Sequence, residues 1–537
     1  MLTSKQGRGP REDNVRKWTF AFGLVAGLLG SFAWNNRAVA AGDTINVAFA
    51  AEATTLDPTK AAAGADFYFI AQMFEQLMRR GPDTKLIYSL AESHSIDKNN
   101  GKPIIDVHLR KDVKFHNGDP LTSADFEFAF SRQRDPKISR IAQLQAAIET
   151  FEIIDDYHFR LHFSEGDASY ETDALRLWAI PKKYFQQVGE DGFLARPVGT
   201  GPWKFVSRNV KTDIRFELFD DYWNKNHRPT VKNLVIKLIP EDLTRVAALK
   251  TGAVDLIDSV PVASVAELQK MPGIATKTLT TSNNLFVQMA THVPGTPWHD
   301  LRVRRAAAHA IDMDAIIKNV LFGQGERYAQ LSPDDFGYDP ELKPYPYDPK
   351  KARQLLAEAG FPRGFETPCY NFTTQREPNL KEVGEAIFAY FTAVGIRCKV
   401  IGVEYAAWLN LIRRWPEGTT QKVMDGAVSS MYGHAGHDVG NPWFATLHTF
   451  DPTRGYGSSS NTSIPEIDRL VEEQKREMDT EKRVALIREL ARIKHDQVLA
   501  GVTTYRPLVT FAWRDNIRYV PWPTGSWRSL LEIGYRN

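Results

Sequence analysis

Cysteine is nearly absent. Among 537 residues only Cys369 and Cys398 occur, so at most one disulfide can form. An isolated pair in an oxidising compartment either bonds or stays buried as two small hydrophobes. The flanking residues read as two strands of one βαβ unit, which leaves both outcomes open because disulfide geometry is demanding. Charge of one sign is equally scarce: Lys and Arg number 67 against 65 Asp and Glu, a net charge of +2. Nothing in that balance points to nucleic acid. The alternating charges from Glu472 to Arg483 read as a solvated helix face. Internal repeats and low-complexity tracts are also lacking. So are the common catalytic signatures: no Gly-x-Ser-x-Gly turn, no phosphate loop, no His-Glu-x-x-His pair and no dinucleotide glycine fingerprint. A binding protein is therefore expected rather than an enzyme, with no cofactor.

One longer apolar run is present, from Trp18 to Trp34 behind the basic pair Arg16-Lys17. It is short for a membrane anchor and is followed by Ala38-Val39-Ala40-Ala41, a small-x-small pattern cleavable after Ala40. The layout over 1–40 reads as a secretory signal peptide for the general export route, since Arg16-Lys17 lacks a second arginine. No cysteine stands at the cleavage point for a lipid anchor, which favours a soluble protein of a Gram-negative periplasm. The remainder has ordinary globular composition, 43% hydrophobic and 25% charged, and its length suits about three domains or two large lobes.

Strands are expected at Thr44–Phe49, Ile104–Leu109, Phe151–Ile154, Tyr157–Phe163, Trp203–Val206, Ile214–Phe219 and Val231–Ile239, and a helix from Asp66 to Arg79. Thr122-Ser123-Ala124-Asp125 has the spacing of a capping box. Gly199-Thr200-Gly201-Pro202 reads as a tight turn in which glycine supplies unusual dihedrals. The second half alternates strands and helices, which argues for a parallel sheet covered on both faces. Asp348-Pro349 opens a helix carrying Ala352, Leu355, Leu356 and Ala359, and a strand follows at Glu366–Phe372. Next come a helix over Pro378–Ala393, a strand at Ile396–Val403, a helix over Tyr405–Arg414 and a strand at Val423–Ser429. Ser463-Ile464-Pro465-Glu466 reads as a second capping box, Asp479 as the start of a helix with Val484, Ile487, Ala491 and Val498 on its stripe, and 455–463 as an exposed loop. His434-x-x-His437-Asp438 is either a metal cluster or a polar loop at a cleft edge, the glycines around it arguing against a regular helix.

The stretch His108-Leu109-Arg110-Lys111-Asp112-Val113-Lys114-Phe115-His116-Asn117-Gly118-Asp119-Pro120-Leu121-Thr122-Ser123-Ala124-Asp125-Phe126, preceded by Leu90-Ala91-Glu92-Ser93, resembles family 5 of the bacterial extracellular solute-binding proteins. Further segments follow in family order: Gly199-Thr200-Gly201-Pro202-Trp203, Tyr222-Trp223, Leu249 to Asp255, Val303-Arg304-Arg305 with Ala310-Ile311-Asp312, and Tyr347-Asp348-Pro349 to Gly360. The resemblance spans essentially all of the chain beyond the signal. It implies an α/β fold of the two-lobed periplasmic-binding-protein type (type II, three-domain peptide-binding variety), with a hinge and an interlobe ligand cleft. Segments 41–78, 200–285 and 506–537 would form domain I, 79–199 a strand-rich domain II, and 286–505 the α/β domain III, with chain crossings near Phe286 and Tyr505.

By the same resemblance the protein is a periplasmic, monomeric substrate-binding component that delivers a peptide or peptide-like ligand to the permease of an ABC importer. A metal chelate of the nickel type, an oligosaccharide and an opine-like conjugate are the alternative ligands, and no structural metal is expected. Ala62, Ala63 and Gly64 fall on the loop that lies along bound peptide in the family. Asp438, in Asp438-Val439-Gly440-Asn441-Pro442, matches the family carboxylate that holds a peptide amino group, although Ala435 replaces the aromatic residue three positions ahead. Arg376 lies in the loop for a ligand carboxylate, two residues from the dipeptide binders' arginine position at Thr374. His434, His437, Trp443 and Tyr505 complete the expected ligand set.

Overall fold

The alternation of Thr44–Phe49 becomes an inner strand, with Ile45, Val47 and Phe49 fully buried. It runs parallel to Asn233–Leu238 on one side and Leu256–Ile257 on the other. The computed structural model describes residues 42–61, 64–81, 85–98, 101–139, 142–168, 170, 175–281, 283–291, 295–373, 379–404, 407, 425–433, 438–449, 463–499, 501–522 and 530–536. The expected signal peptide, the helix over 408–414 and the loop over 455–462 lie outside these residues.

A twelve-stranded sheet is the backbone of the molecule. Its path runs Ile396–Val403, Phe365–Phe372, Ala427–Gly433, Asn283–Met289, Val502–Arg514, Leu256–Ile257, Thr44–Phe49, Asn233–Leu238, Asp213–Leu218 and Trp203–Asn209. The thirteen-residue strand Val502–Arg514 belongs to both halves. Its first residues pair with Asn283–Met289, Leu285 opposite Tyr505, and its last with Ile274–Thr280, from Leu508 to Arg514. The handover falls at Arg506–Pro507, where Thr281 Oγ1 donates to the Pro507 carbonyl at 3.4 Å. Proline has no N–H to donate, so a break between these two ladders is where the strand tolerates it, while the short strand Gly325–Glu326 pairs antiparallel with the same two residues.

Apolar packing divides along the same line. Phe49, Phe69, Trp203 and Phe511 share one core, Phe115, Phe126 and Phe159 a second under the separate sheet of four strands, and Trp298, Phe372, Phe391 and Tyr505 a third in the second half. Leu447, Leu470 and Ile487 form a smaller helical core beside the third.

The βαβ unit Phe365–Phe372, Leu380–Val394, Ile396–Val403 forms as expected, and Phe365–Phe372 is parallel to both of its neighbours. The wholly parallel, doubly covered sheet does not. Asn283–Met289, where the chain enters this half, pairs antiparallel with Ala427–Gly433 and with Val502–Arg514, where the chain leaves it. Ile396–Val403 is an edge strand with much of its surface exposed. Cys369 and Cys398, on neighbouring strands with Cα atoms 5.3 Å apart, are joined by a disulfide.

Five local expectations are corrected. The first helix spans Gly64–Met73, not Asp66–Arg79, and Met78–Arg80 is a strand. The turn at Gly199–Gly201 sits on the end of this helix: Gly201 N donates to the Met73 carbonyl at 2.8 Å, and a Cβ on Gly199 would stand 2.1 Å from that oxygen. Those glycines therefore serve close approach rather than positive φ, which neither adopts. At the second capping box the N-cap is Ile464 with Pro465 at the first helical position, and among the described residues no side chain caps the helix. Val498 lies beyond the helix Thr480–Asp496, buried and at φ 46°. The strand expected at Val423–Ser429 is Ala427–Gly433. The box at Thr122 does form, with Asp125 Oδ2 accepting from Thr122 N at 2.9 Å and Oγ1 at 3.0 Å.

Candidate functional site

The approach to residues 62–64 is fixed by buried charge. Asp57 is fully buried and accepts from Arg132 Nη2 at 2.7 Å, Thr59 Oγ1 at 2.7 Å and Thr59 N at 2.9 Å. Arg132 lies over the Phe185 ring at 4.3 Å. A buried carboxylate keeps its charge only when paired and hydrogen-bonded in this way. Beyond the loop, Asp66 Oδ1 accepts from Thr54 N at 2.7 Å and Thr54 Oγ1 at 2.9 Å, so both sides of the loop are anchored. Gly64 is the first residue of its helix and partly exposed. Ala62 and Ala63 lie outside the described residues, as do Arg376, His434 and His437.

The signature residues are scaffold. His116 Nε2 donates to the Gly201 carbonyl at 2.8 Å while its Nδ1 accepts from Gly199 N at 3.2 Å, which sets the tautomer and clamps the turn. Desolvation lowers its pKa to about 4, keeping the ring neutral. Tyr222 Oη and Trp223 Nε1 donate to the buried Glu75 carboxylate at 2.9 and 3.0 Å. Burial pushes that carboxyl above its ordinary pKa.

Asp438 and Trp443 belong to one corner of the second half. Asp438 Oδ1 accepts from Gly440 N at 2.8 Å, at the start of the helix Gly440–Leu447. The same carboxylate meets Arg483 face on, Oδ2 with Nη1 at 2.8 Å and Oδ1 with Nη2 at 2.9 Å. Arg483 is itself buried, donating from Nε to the Gln474 carbonyl at 3.1 Å and lying over Phe336 at 5.0 Å. The Asp438 side chain is 20% exposed. Trp443 is buried, with the Lys494 ammonium over its ring at 5.7 Å. Lys494 hydrogen-bonds Gln330 Oε1, and burial lowers its pKa to about 7.

Tyr505 stands apart from that corner, fully buried on the crossing strand. Its neighbour Arg506 donates to Glu326 Oε2 at 2.7 Å and Asp334 Oδ2 at 2.8 Å, tying a surface segment to the handover. Sequence reasoning missed a further contact between the halves. Arg476 Nε donates to Glu165 Oε2 at 2.9 Å, Ala168 N to the Lys475 carbonyl at 2.7 Å, and Lys98 Nζ to the Met478 carbonyl at 3.3 Å.

The model described as "Bacterial extracellular solute-binding proteins, family 5 Middle" matches residues 85–456. Heme-binding protein A of Haemophilus influenzae is 29% identical over 422 residues, covering 73% of this chain and 74% of its own. Di/tripeptide-binding protein 1 of Pseudomonas aeruginosa is 29% identical over 502 residues, covering 86% and 90%. Among solved structures, an ABC transporter-associated periplasmic binding protein of Helicobacter pylori in complex with the peptide STSA has a TM-score of 0.78 at 23% identity, covering 92% of this chain and 98% of that one.

Proposed function

The chain belongs to family 5 of the bacterial extracellular solute-binding proteins, with their two-lobed type II fold, and from that premise we propose that its cargo is a short peptide or peptide-like solute. The cargo is held between the lobes and passed to the permease of an ABC importer. The handover at Thr281 and Arg506–Pro507 serves as the hinge, separating 286–505 from the remainder, and Tyr505 acts there by fixing the crossing strand. Export follows cleavage after Ala40, and the mature protein works as a periplasmic monomer.

The state of Asp438 carries this reading. Among the described residues, Arg483 and Gly440 orient its carboxylate with three hydrogen bonds, and a fifth of the side chain stays open. An ionised carboxylate has about four acceptor positions, so these donors leave capacity for an ammonium group. Pre-orientation lowers the ordering cost of binding, and a charge-assisted bond strengthens as a closing cleft excludes water. The name of the Pseudomonas aeruginosa relative, a di/tripeptide-binding protein, supports the same class of cargo.

Calorimetry with a dipeptide, its amino-acetylated form, a nickel chelate, an oligosaccharide and an opine-like conjugate tests this. The free dipeptide should bind and its acetylated form bind much more weakly. Binding of another class with no response to peptides of two to five residues overturns the proposal.

A further inference from the structure

The four-stranded sheet of the first half orders Ala91–Asp97, Ile104–Leu109, His158–Phe163 and Ile148–Asp155. Ile105, Val107, Leu109, Phe159, Leu161 and Phe163 point into its core. Strand alternation sends Asp106, His108, His158 and Arg160 to the other face. Register sets His108 opposite His158 and Asp106 opposite Arg160. The two imidazoles stack with centroids 4.2 Å apart, and both turn Nε2 to one carboxylate oxygen: Asp106 Oδ1 is 2.8 Å from His158 and 3.2 Å from His108.

We propose that Asp106, His108 and His158 form a surface site for one divalent transition-metal ion of the zinc, nickel and copper class. Asp106 Oδ1 and the two Nε2 atoms are the ligands. The three donor atoms all lie within 4.8 Å of one another. Donors on a tetrahedral ion at about 2.0–2.1 Å stand roughly 3.3 Å apart, so Asp106 Oδ1, at 2.8 and 3.2 Å from the two Nε2 atoms, needs to move outward by only about half an ångström or less, and the imidazoles close any remaining gap by turning about their side-chain bonds. A mixed imidazole and carboxylate set suits these ions rather than magnesium or calcium. On binding, each neutral imidazole carries its proton on Nδ1 and presents Nε2 to the ion. The half-exposed His108 side chain leaves the remaining coordination position to water.

Arg160 acts in two directions. Its Nε donates to Asp106 Oδ2 at 2.7 Å, which orients the carboxylate as an outer-shell partner does while leaving Oδ1 for the ion. Its charge opposes a cation, although the side chain is 41% exposed and Glu152 acts on it from the neighbouring strand. Main-chain register supports the site from below, because both histidines stand on paired strands over a packed core. The site is independent of the peptide reading, which it neither needs nor affects.

The test is titration of the full chain with Cu2+ or Zn2+ alone, by calorimetry and, for copper, electron paramagnetic resonance. A His434→Ala/His437→Ala background removes that separate histidine pair from the measurement. One ion per chain should bind, with copper showing coupling to two nitrogens. His108→Ala and His158→Ala should each weaken binding at least tenfold. Thermal unfolding without metal should stay unchanged in His108→Ala, separating lost ligation from lost folding. No bound ion at micromolar concentration, or unchanged affinity in both histidine variants, overturns the site.

Discussion

Glu165 and Arg476 are 311 positions apart, yet the carboxylate of one accepts from the guanidinium of the other at 2.9 Å. Their contact joins the first half to the end of the helix Pro465–Arg476. Beside it, Gly166 lies so close to the Arg476 carbonyl that a Cβ would stand 2.8 Å from the oxygen. Both side chains of the ion pair are nearly half exposed, which limits such a pair to about 0–1 kcal/mol. Arg476→Glu reverses the interaction and should weaken ligand binding by roughly two- to fivefold at low salt by biasing the lobes apart. High salt should shrink the effect. Equal affinities at low salt, measured by calorimetry, would show that this contact is absent from the ligand-bound form.

The disulfide closes a short connection, Cys369 and Cys398 being 29 positions apart. Chain entropy for such a loop corresponds to about 3–4 kcal/mol. Cys369→Ala/Cys398→Ala should therefore lower the urea midpoint of the second half clearly while leaving ligand affinity unchanged. Measuring denaturation by fluorescence beside calorimetric binding checks both parts, and an unshifted midpoint contradicts the first.

Lys494 predicts a pH dependence with a definite sign. Burial depresses its folded pKa from 10.5 to about 7, so between these values the unfolded chain binds more protons and stability rises with pH. Below about pH 7 the group is charged in both states, and the folded protein bears the full desolvation cost. Lys494→Met keeps the length and apolar stem, and should raise stability at pH 6–7 and flatten the rise toward pH 10. Gln330 loses one donor in that variant, which subtracts part of the gain. Denaturation midpoints at pH 6, 8 and 10 for both proteins decide it; parallel curves would show that Lys494 does not titrate in this window.

Local features were legible where the chain itself sets them. Thr122 and Asp125 close their box within four residues, and the βαβ unit around the cysteines declares itself by strand composition and helix length. The end of the first helix was not, because Gly199 and Gly201 impose it from more than a hundred residues away. A signal for the second-half corner did exist. Arg483 and Lys494 fall on the apolar stripe of Ile487 and Ala491, at helical spacings that put charged groups on a buried face. For Arg483, the charge alternation from Glu472 to Arg483 drew the reading toward solvent instead. Asp106, His108 and His158 alternate outward on their strands, but their meeting depends on cross-strand register, which no local pattern specifies.

Asp438 has two separable tasks, holding Arg483 and meeting the ligand, and a pair of substitutions divides them. Asp438→Asn nearly preserves size but leaves the buried Arg483 without its anionic partner, so it should destabilise the corner by about 3–5 kcal/mol. It should also reduce affinity for a free-amine peptide by about 2–4 kcal/mol, roughly thirty-fold to a thousand-fold. Adding Arg483→Met removes the stranded charge and should return much of the stability, since replacing both partners of a buried pair costs less than removing one. Affinity should stay low in the double variant, because no carboxylate is present for the ammonium group. Amino-acetylation of the peptide should weaken binding to the wild type and add little further loss to either variant, one interaction being removed by both routes. Recovery of affinity together with stability in the double variant would assign Asp438 to the scaffold alone and place the ligand amine elsewhere.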